Sequence, residues 1–280
     1  MGQTIACANQ KGGVGKTTTV VNLATSLALS GQRILVLDLD PQGNATSGFG
    51  VERNALRATL YDVILGDRDL ESVILPTSVE RCDLAPASVA LAGAEVELAA
   101  APQRERRLAR ALGAVPDGYD YVLFDCPPSL GLLTVNALTA CDSILIPTQC
   151  EYYALEGLTQ LIATLNLVRD NLNPTLGIKG VVLTMFDART NLSADVASEV
   201  RNHFGHAVFD TVIPRSVRLS EAPSFGLPIA LYRSDSRGAV AYAELADELL
   251  RRDRREVGPP SALGPTFDEA ATPLAVGAAS

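Results

Sequence analysis

The sequence predicts a single α/β domain: a mostly parallel, twisted sheet with helices on both faces. Three observations predict it: a glycine-rich loop set between an apolar run and a helix-patterned stretch, apolar runs that end in aspartates, and strand-like segments alternating with helix-like ones. Apolar runs without polar alternation suit strands covered on both faces, and parallel neighbours must be joined by right-handed crossovers through helices. The domain is expected to occupy residues 1–256, followed by a tail.

In chain order, residues 4–8 are a short apolar first strand, and residues 16–29 show helical spacing through Val20, Leu23 and Leu27 until Gly31 stops them. Residues 33–37 form the second strand. Between 44 and 116 the spacing gives helices at 59–65, 89–100 and 104–112 and short strands near Val73 and Asp83; Arg104, Arg106, Arg107 and Arg110 make a basic, solvated helix face. A buried strand follows at 121–125, ended by Pro127 and Pro128, and then a strand at 143–146 and a long helix at 153–168. Residues 180–184 read as a strand, the next stretch as a helix to about His203, and 208–213 as a further strand. The closing helix, 238–257, carries the stripe Tyr242, Leu245, Ala246, Leu249 and Leu250. Arg251, Arg252, Arg254 and Arg255 lie at its C-terminal end, where cations suit the helix dipole. Gly258, Pro259 and Pro260 break it, and the Ala/Pro/Gly-rich stretch 257–280, without a basic residue, is expected to be disordered.

The chemistry concentrates in Asn9-Gln10-Lys11-Gly12-Gly13-Val14-Gly15-Lys16-Thr17-Thr18-Thr19. Gly12, Gly13 and Gly15 let backbone N–H groups around Val14 close on phosphate oxygens. Lys16 meets terminal phosphate charge, Thr17 suits magnesium, and the helix N-terminus at Thr17 and Thr18 favours an anion. These features predict a P-loop NTPase that binds a nucleoside triphosphate with Mg²⁺. The loop departs from the common pattern, since Gln10 stands five before Gly15 and a second lysine, Lys11, opens it. One lysine neutralises charge in its own site, so Lys11 is either redundant or meant for phosphates held by a facing subunit. The chain has three lysines against twenty arginines, so two lysines within six residues mark a place where a narrow ammonium is needed rather than a guanidinium fork.

Carboxylates complete the pattern. Asp38 and Asp40 end the second strand, where an acid facing the γ-phosphate can orient attacking water, and Asp40 is the expected hydrolysis residue. Asp125 ends the strand at 121–125 and suits a magnesium-bound water.

Composition narrows the rest. A chain of 280 residues with 47% hydrophobic content can bury one large core, and no run of about 18 apolar residues spans a membrane. The N-terminus lacks signal-peptide character, so the cytoplasm is the expected location. Cys7, Cys82, Cys126, Cys141 and Cys150 include no C-x-x-C pair, which points to buried small hydrophobes rather than zinc or disulfides. A net charge of −9 confines any nucleic-acid contact to a local patch.

The loop, the stretch Asp38-Leu39-Asp40-Pro41-Gln42-Gly43-Asn44 and the later Asp125-Cys126-Pro127-Pro128 together resemble the deviant Walker A ATPases of the ParA/MinD superfamily, most of all the ParA/Soj partitioning branch. The resemblance runs from about residue 3 to about residue 252. It implies ATP as the nucleotide, with Lys11 and Lys16 on phosphates, Asp40 in hydrolysis, and Asp38 near the magnesium shell beside Thr17 and Asp125. It also implies adenine contact at Met185 and Pro214, and sequence-independent DNA contact at Arg189 and Arg218, with Arg215 beside them. The implied partners are nonspecific double-stranded DNA, a ParB-type protein that promotes hydrolysis, and a second copy of the chain when ATP is bound, with the protein associated with the nucleoid. From the residues alone, Arg218 could instead pair with Glu221 and Arg189 with Asp187. A MinD-like membrane-associated positioning ATPase is the alternative; it needs a basic amphipathic helix at the extreme C-terminus, where this chain is acidic and broken by proline. A metabolic ATP-dependent ligase or iron–sulfur reductase of the superfamily is the other.

Overall fold

The computed structural model describes residues 2–115, 118–152 and 154–256. The expected tail, 257–280, lies outside them. Seven strands form one sheet in the order β3-β4-β2-β5-β1-β6-β7: β1 (Gln3–Cys7), β2 (Ile34–Asp38), β3 (Leu75–Pro76), β4 (Cys82–Ala85), β5 (Tyr121–Asp125), β6 (Ser143–Gln149) and β7 (Gly177–Thr184). Every pairing is parallel except the short edge strand β3 on β4. The order reverses around β1, which has β5 on one side and β6 on the other, so the crevice that takes ligands in open α/β sheets opens at the carboxyl end of β1. The glycine-rich loop begins there.

Two apolar layers follow from the strand pleat. On one face Ile5, Cys7, Ile34 and Val36 pack on α1 (Lys16–Leu29) and on α11 (Arg237–Glu256), through Val20, Leu23, Leu27, Tyr242, Leu245 and Leu249. On the other face Ala6, Leu35, Val122 and Ile144 pack under a second helix layer. Before β5 it holds α3 (Leu60–Leu65), α4 (Leu91–Glu97) and α5 (Arg107–Leu112), and after β5 it holds α6 (Leu132–Ala140), α7 (Ala154–Asn171) and α8 (Asn191–Phe204). The short α2 (Asn44–Gly48) follows β2, and α9 (Val217–Glu221) and α10 (Ile229–Tyr232) lead into α11. Thr59 caps α3 with a reciprocal capping box to Asp62, and Thr190 caps α8. All five cysteines are free and buried.

Four local readings change. Residues 208–213 are not a strand. Phe209 N donates to the Val181 carbonyl (2.9 Å) and Ile213 N to that of Leu183 (2.8 Å), so four residues on one side span two on β7. The excess loops out because Asp210 N and Thr211 N both donate to the Glu248 carboxylate of α11, each at 2.9 Å, rather than to a neighbouring strand. Near Val73 a 3-10 turn (Leu70–Val73) precedes the two-residue β3. Helix α6 was not legible, because nearly all its faces are buried and it shows no amphipathic stripe. The arginines around α5 form a solvated face only in part: Arg106 and Arg110 are exposed, but Arg106 also donates to the Leu172 carbonyl (3.0 Å), Arg107 reaches that of Leu65 (3.4 Å), and Arg104 bonds the Ala99 carbonyl and pairs with Glu105.

Glu248 is buried and holds two backbone N–H groups and the Arg252 guanidinium (2.7 Å). Glu248→Ala strands the two amides and leaves Arg252 only the His206 and Val208 carbonyls, and is expected to cost about 2–4 kcal/mol in urea unfolding, with Glu248→Gln losing less. A loss under about 1 kcal/mol would mean that the looped-out segment holds without it.

Candidate nucleotide site

The loop after β1 is shaped from several directions. Gly13 and Gly15 take positive φ (74° and 88°), and Gly15 is the residue from which α1 starts. Asn9 ties the loop to β6: its Nδ2 donates to the Pro147 carbonyl (2.8 Å) while its Oδ1 accepts from Lys11 N (3.0 Å). Thr184, at the end of β7, donates from Oγ1 to the Val14 carbonyl (2.8 Å). Neither Asn9 nor Thr184 stood out in the sequence, because each acts through a partner more than 130 residues away.

The two lysines point differently. Lys16 is buried and bends back so that Nζ donates to the Lys11 carbonyl (3.1 Å), across the hollow of the loop. Lys11 lies on the outer rim, where its ammonium pairs with Glu151 at 2.8 Å and both side chains are substantially exposed.

Asp38 and Asp125 sit opposite one another at the ends of the adjoining strands β2 and β5, and both are fully buried. Asp38 is engaged: Oδ2 accepts from the Thr46 amide and hydroxyl, both at 2.7 Å, and Oδ1 from Asp40 N (3.2 Å). Burial still pushes its carboxyl up to about 6, against the lowering effect of those bonds. Neither oxygen of Asp125 has a hydrogen-bond partner. Burial and then the Asp38 charge raise its pKa well above the carboxylate range, with the Thr17 hydroxyl and Lys16 pulling the other way. A buried carboxylate with both oxygens unused beside a threonine is a fitting half-site for a hard cation. Among the described residues no cluster of three or more His, Cys, Asp or Glu could cage a metal alone, and magnesium commonly takes one or two carboxylates with the rest of its shell from phosphates and water. Asp38 borders this place, but its oxygens hold Thr46 and Asp40.

Asp40 is buried next to the pair Asp38 and Asp125, its amide donating to Asp38 Oδ1 (3.2 Å). Its Oδ1 accepts from Gln42 N (2.9 Å) at the start of a tight turn. A cavity of about 250 Å³ opens beside Gly15 and Thr18 and is walled by Met185, Pro214 and Tyr242. Met185 is one of three described non-glycine residues with positive φ (52°), a strained conformation at the mouth of a ligand cavity. Thus Gly15, Thr18, Met185 and Pro214, drawn from three distant segments, share one wall.

Of the arginines, Arg215 borders this same cavity, while Arg189 and Arg218 do not line it. Arg189 pairs with Asp187 (2.6 Å) and Arg218 with Glu221 (2.7 Å), the local pairs that the sequence allowed, and Arg189 in particular is 87% exposed. Arg189 holds the Asp187 carboxyl far below the usual range. Arg215 and Arg218 line a shallow groove of about 390 Å³ with Arg233 and Arg237, two residues that sequence reasoning missed. A scan for basic residues flanking the segment Pro214–Pro223 would have found them.

Residues 2–178 match a family described as an AAA domain. The chain is 58% identical to the sporulation initiation inhibitor protein Soj of Bacillus subtilis over 249 residues, covering 89% of this chain and 98% of that one. It is 53% identical over 252 residues to the chromosome partitioning protein ParA of Caulobacter vibrioides, covering 89% and 94%. The chain belongs to the ParA/Soj family of partitioning ATPases. Among solved structures, cobyrinic acid a,c-diamide synthase from Mycobacterium smegmatis, with bound ATP analog and magnesium, is 38% identical. It covers 93% of this chain and 99% of its own, with a TM-score of 0.81. The cell division ATPase MinD of Pyrococcus furiosus is 27% identical at a TM-score of 0.76, covering 90% and 100%. The ParA/Soj relatives are far closer in sequence than either, which favours partitioning over the MinD-like and ligase alternatives. No helix among the described residues is long and apolar enough to cross a membrane.

Lys16→Ala is expected to abolish nucleotide binding in titration calorimetry, and retained affinity would contradict the loop assignment. Asp125→Asn removes a buried, unpartnered acid, so its thermal midpoint without ligand should rise by about 2–4 °C while the gain produced by Mg·ATP is lost.

Proposed function

We propose that this chain segregates chromosomal or plasmid DNA through an ATP-gated dimer. Two subunits face each other across their loops when ATP is bound, the dimer binds double-stranded DNA without reading sequence, and hydrolysis promoted by a ParB-type protein releases it. The enzyme is a Mg²⁺-dependent ATPase working in the cytoplasm on the nucleoid. Family membership supports this reading. The observation that carries it is the divergence of the two lysines, with Lys16 folded into its own loop and Lys11 on the rim, where it can turn toward a facing subunit.

The residues take the following roles. Backbone N–H groups of Gly12 to Thr18 and the Lys16 ammonium hold the phosphates, and the cavity at Met185 and Pro214 takes adenine. Thr17 and Asp125 would hold magnesium, which when bound would screen phosphate charge. Asp38 fixes the backbone of Asp40 and Thr46, and Asp40 orients the attacking water. Lys11 of each subunit leaves Glu151 and contacts the partner's phosphates.

Arg189, Arg215 and Arg218 contact DNA phosphates. Their exposed pairs with Asp187 and Glu221 contribute little and yield readily to a polyanion. Two or three contacts per subunit bind weakly alone, whereas a two-fold dimer offers about four to six, with affinity falling along a salt slope near −0.9 per contact. Dimerisation thereby couples nucleotide state to DNA.

A gel shift on random-sequence DNA with ADP, ATP and a nonhydrolysable analogue tests the whole scheme, since only the triphosphate states should shift. Asp40→Ala should accumulate as an ATP-bound dimer that still binds DNA; a variant that turns over normally, or stays monomeric by light scattering in saturating Mg·ATP, contradicts the reading. Arg218→Glu should lose DNA at moderate salt while dimerising normally, and an unchanged shift would remove it from the DNA surface.

A further inference from the structure

We propose that Arg53 is a positioning residue for hydrolysis, acting through the backbone of the turn that carries Asp40. This rests on the role given to Asp40 above.

Asp40 orders its own turn at two points. Its Oδ1 accepts from Gln42 N (2.9 Å), and its backbone carbonyl accepts from Gly43 N (2.8 Å). Pro41, between them, has no N–H to add. The peptide plane joining Gln42 to Gly43 is therefore held on its N–H edge by Asp40. Its carbonyl edge is held from outside the turn, where the Gln42 carbonyl accepts from Arg53 Nη1. Without that second restraint the plane can swing about the axis joining the two Cα atoms, which pulls on the Gly43 N–H bond to the Asp40 carbonyl and loosens the turn that sets the Asp40 carboxylate.

Gly43 makes the approach possible. A Cβ at this position would meet Arg53 Cδ at 2.7 Å and Nη1 at 3.3 Å, so the arginine lies across the face that glycine leaves bare. The backbone there, at φ 63°, makes the same demand for glycine. Arg53 itself comes from a 3-10 turn (Arg53–Ala55) beyond α2, is exposed, and lines a cavity of about 560 Å³ with Val89 and Phe225. Its removal opens no core, and its length and fork fit the carbonyl as a lysine would only in part.

The test is steady-state ATP hydrolysis by the full chain with DNA present, comparing Arg53→Ala and Arg53→Lys with the parent. Arg53→Ala should lower kcat about ten-fold, because a catalytic group displaced by a fraction of an ångström loses alignment rather than binding. KM for ATP and the thermal midpoint should stay close to the parent values, ATP-dependent dimerisation should persist, and Arg53→Lys should recover part of the rate. An unchanged kcat in Arg53→Ala, with Asp40→Ala inactive, overturns this inference alone. A fall in kcat matched by an equal rise in KM or a lowered midpoint, with lysine no better than alanine, also overturns it. Normal turnover by Asp40→Ala overturns both this inference and the hydrolysis role on which it rests.

Discussion

Two carboxylates buried side by side at the ends of β2 and β5 are the constraint that the rest of this molecule answers to. Taking even one ionised carboxylate out of water is costly unless it is paired and hydrogen-bonded, and here two adjoin in one strand register. The fold resolves Asp38 locally with three hydrogen bonds from Thr46 and Asp40. It leaves Asp125 with none. A cation brought with a phosphate ligand, if held by Asp125 as proposed, would relieve the local repulsion and turn an element of the fold's instability into binding energy for Mg·ATP. That asymmetry also sorts the two acids: the satisfied one shapes the backbone, and the unsatisfied one is the acid proposed to hold the metal.

The loop above them shows the same division between holding and acting. Its acting groups, Lys16, Thr17 and the glycine backbone, come from one continuous stretch. Its holding groups come from across the sheet, with Asn9 reaching β6 and Thr184 reaching back from β7. Because β1 lies between β5 and β6, the loop can be gripped from the β6–β7 side while the carboxylates present from the β2–β5 side. Nucleotide thus enters a crevice whose two walls belong to different halves of the sheet.

This division explains what the sequence made legible. The loop, the aspartates at strand ends and the apolar runs of β1, β2 and β5 were readable because each is a local pattern with its own physical reason. Met185 and Pro214 entered through family resemblance, and the cavity they share with Gly15 was not visible in either segment alone. Asn9, Thr184 and Arg53 were missed because their value lies in contacts between segments that only folding brings together. Residues 208–213 misled for a related reason: their apolar character is real, and Phe209 and Ile213 are indeed buried, but a carboxylate from α11 captures the two amides that a ladder would have used. Helix α6 hid because burial on nearly every side erases the stripe by which a surface helix is recognised.

The overall charge of −9 bears on how such a protein can hold DNA and let go. A uniformly basic surface would bind in every nucleotide state. Here the cations proposed to face DNA lie in the groove of Arg215, Arg218, Arg233 and Arg237 and in the loop of Arg189, with Asp187, Glu221 and Asp235 among them. Each acid weakens the attraction of one subunit without closing the surface, since the pairs are exposed and exchange with solvent and salt. On the proposed reading, a single copy sits near the threshold of useful affinity, and a second copy carries the pair across it. On this argument the acidic balance of the chain and the pairing of its arginines belong to the release mechanism, because they set the monomer's grip low enough for hydrolysis to free the DNA.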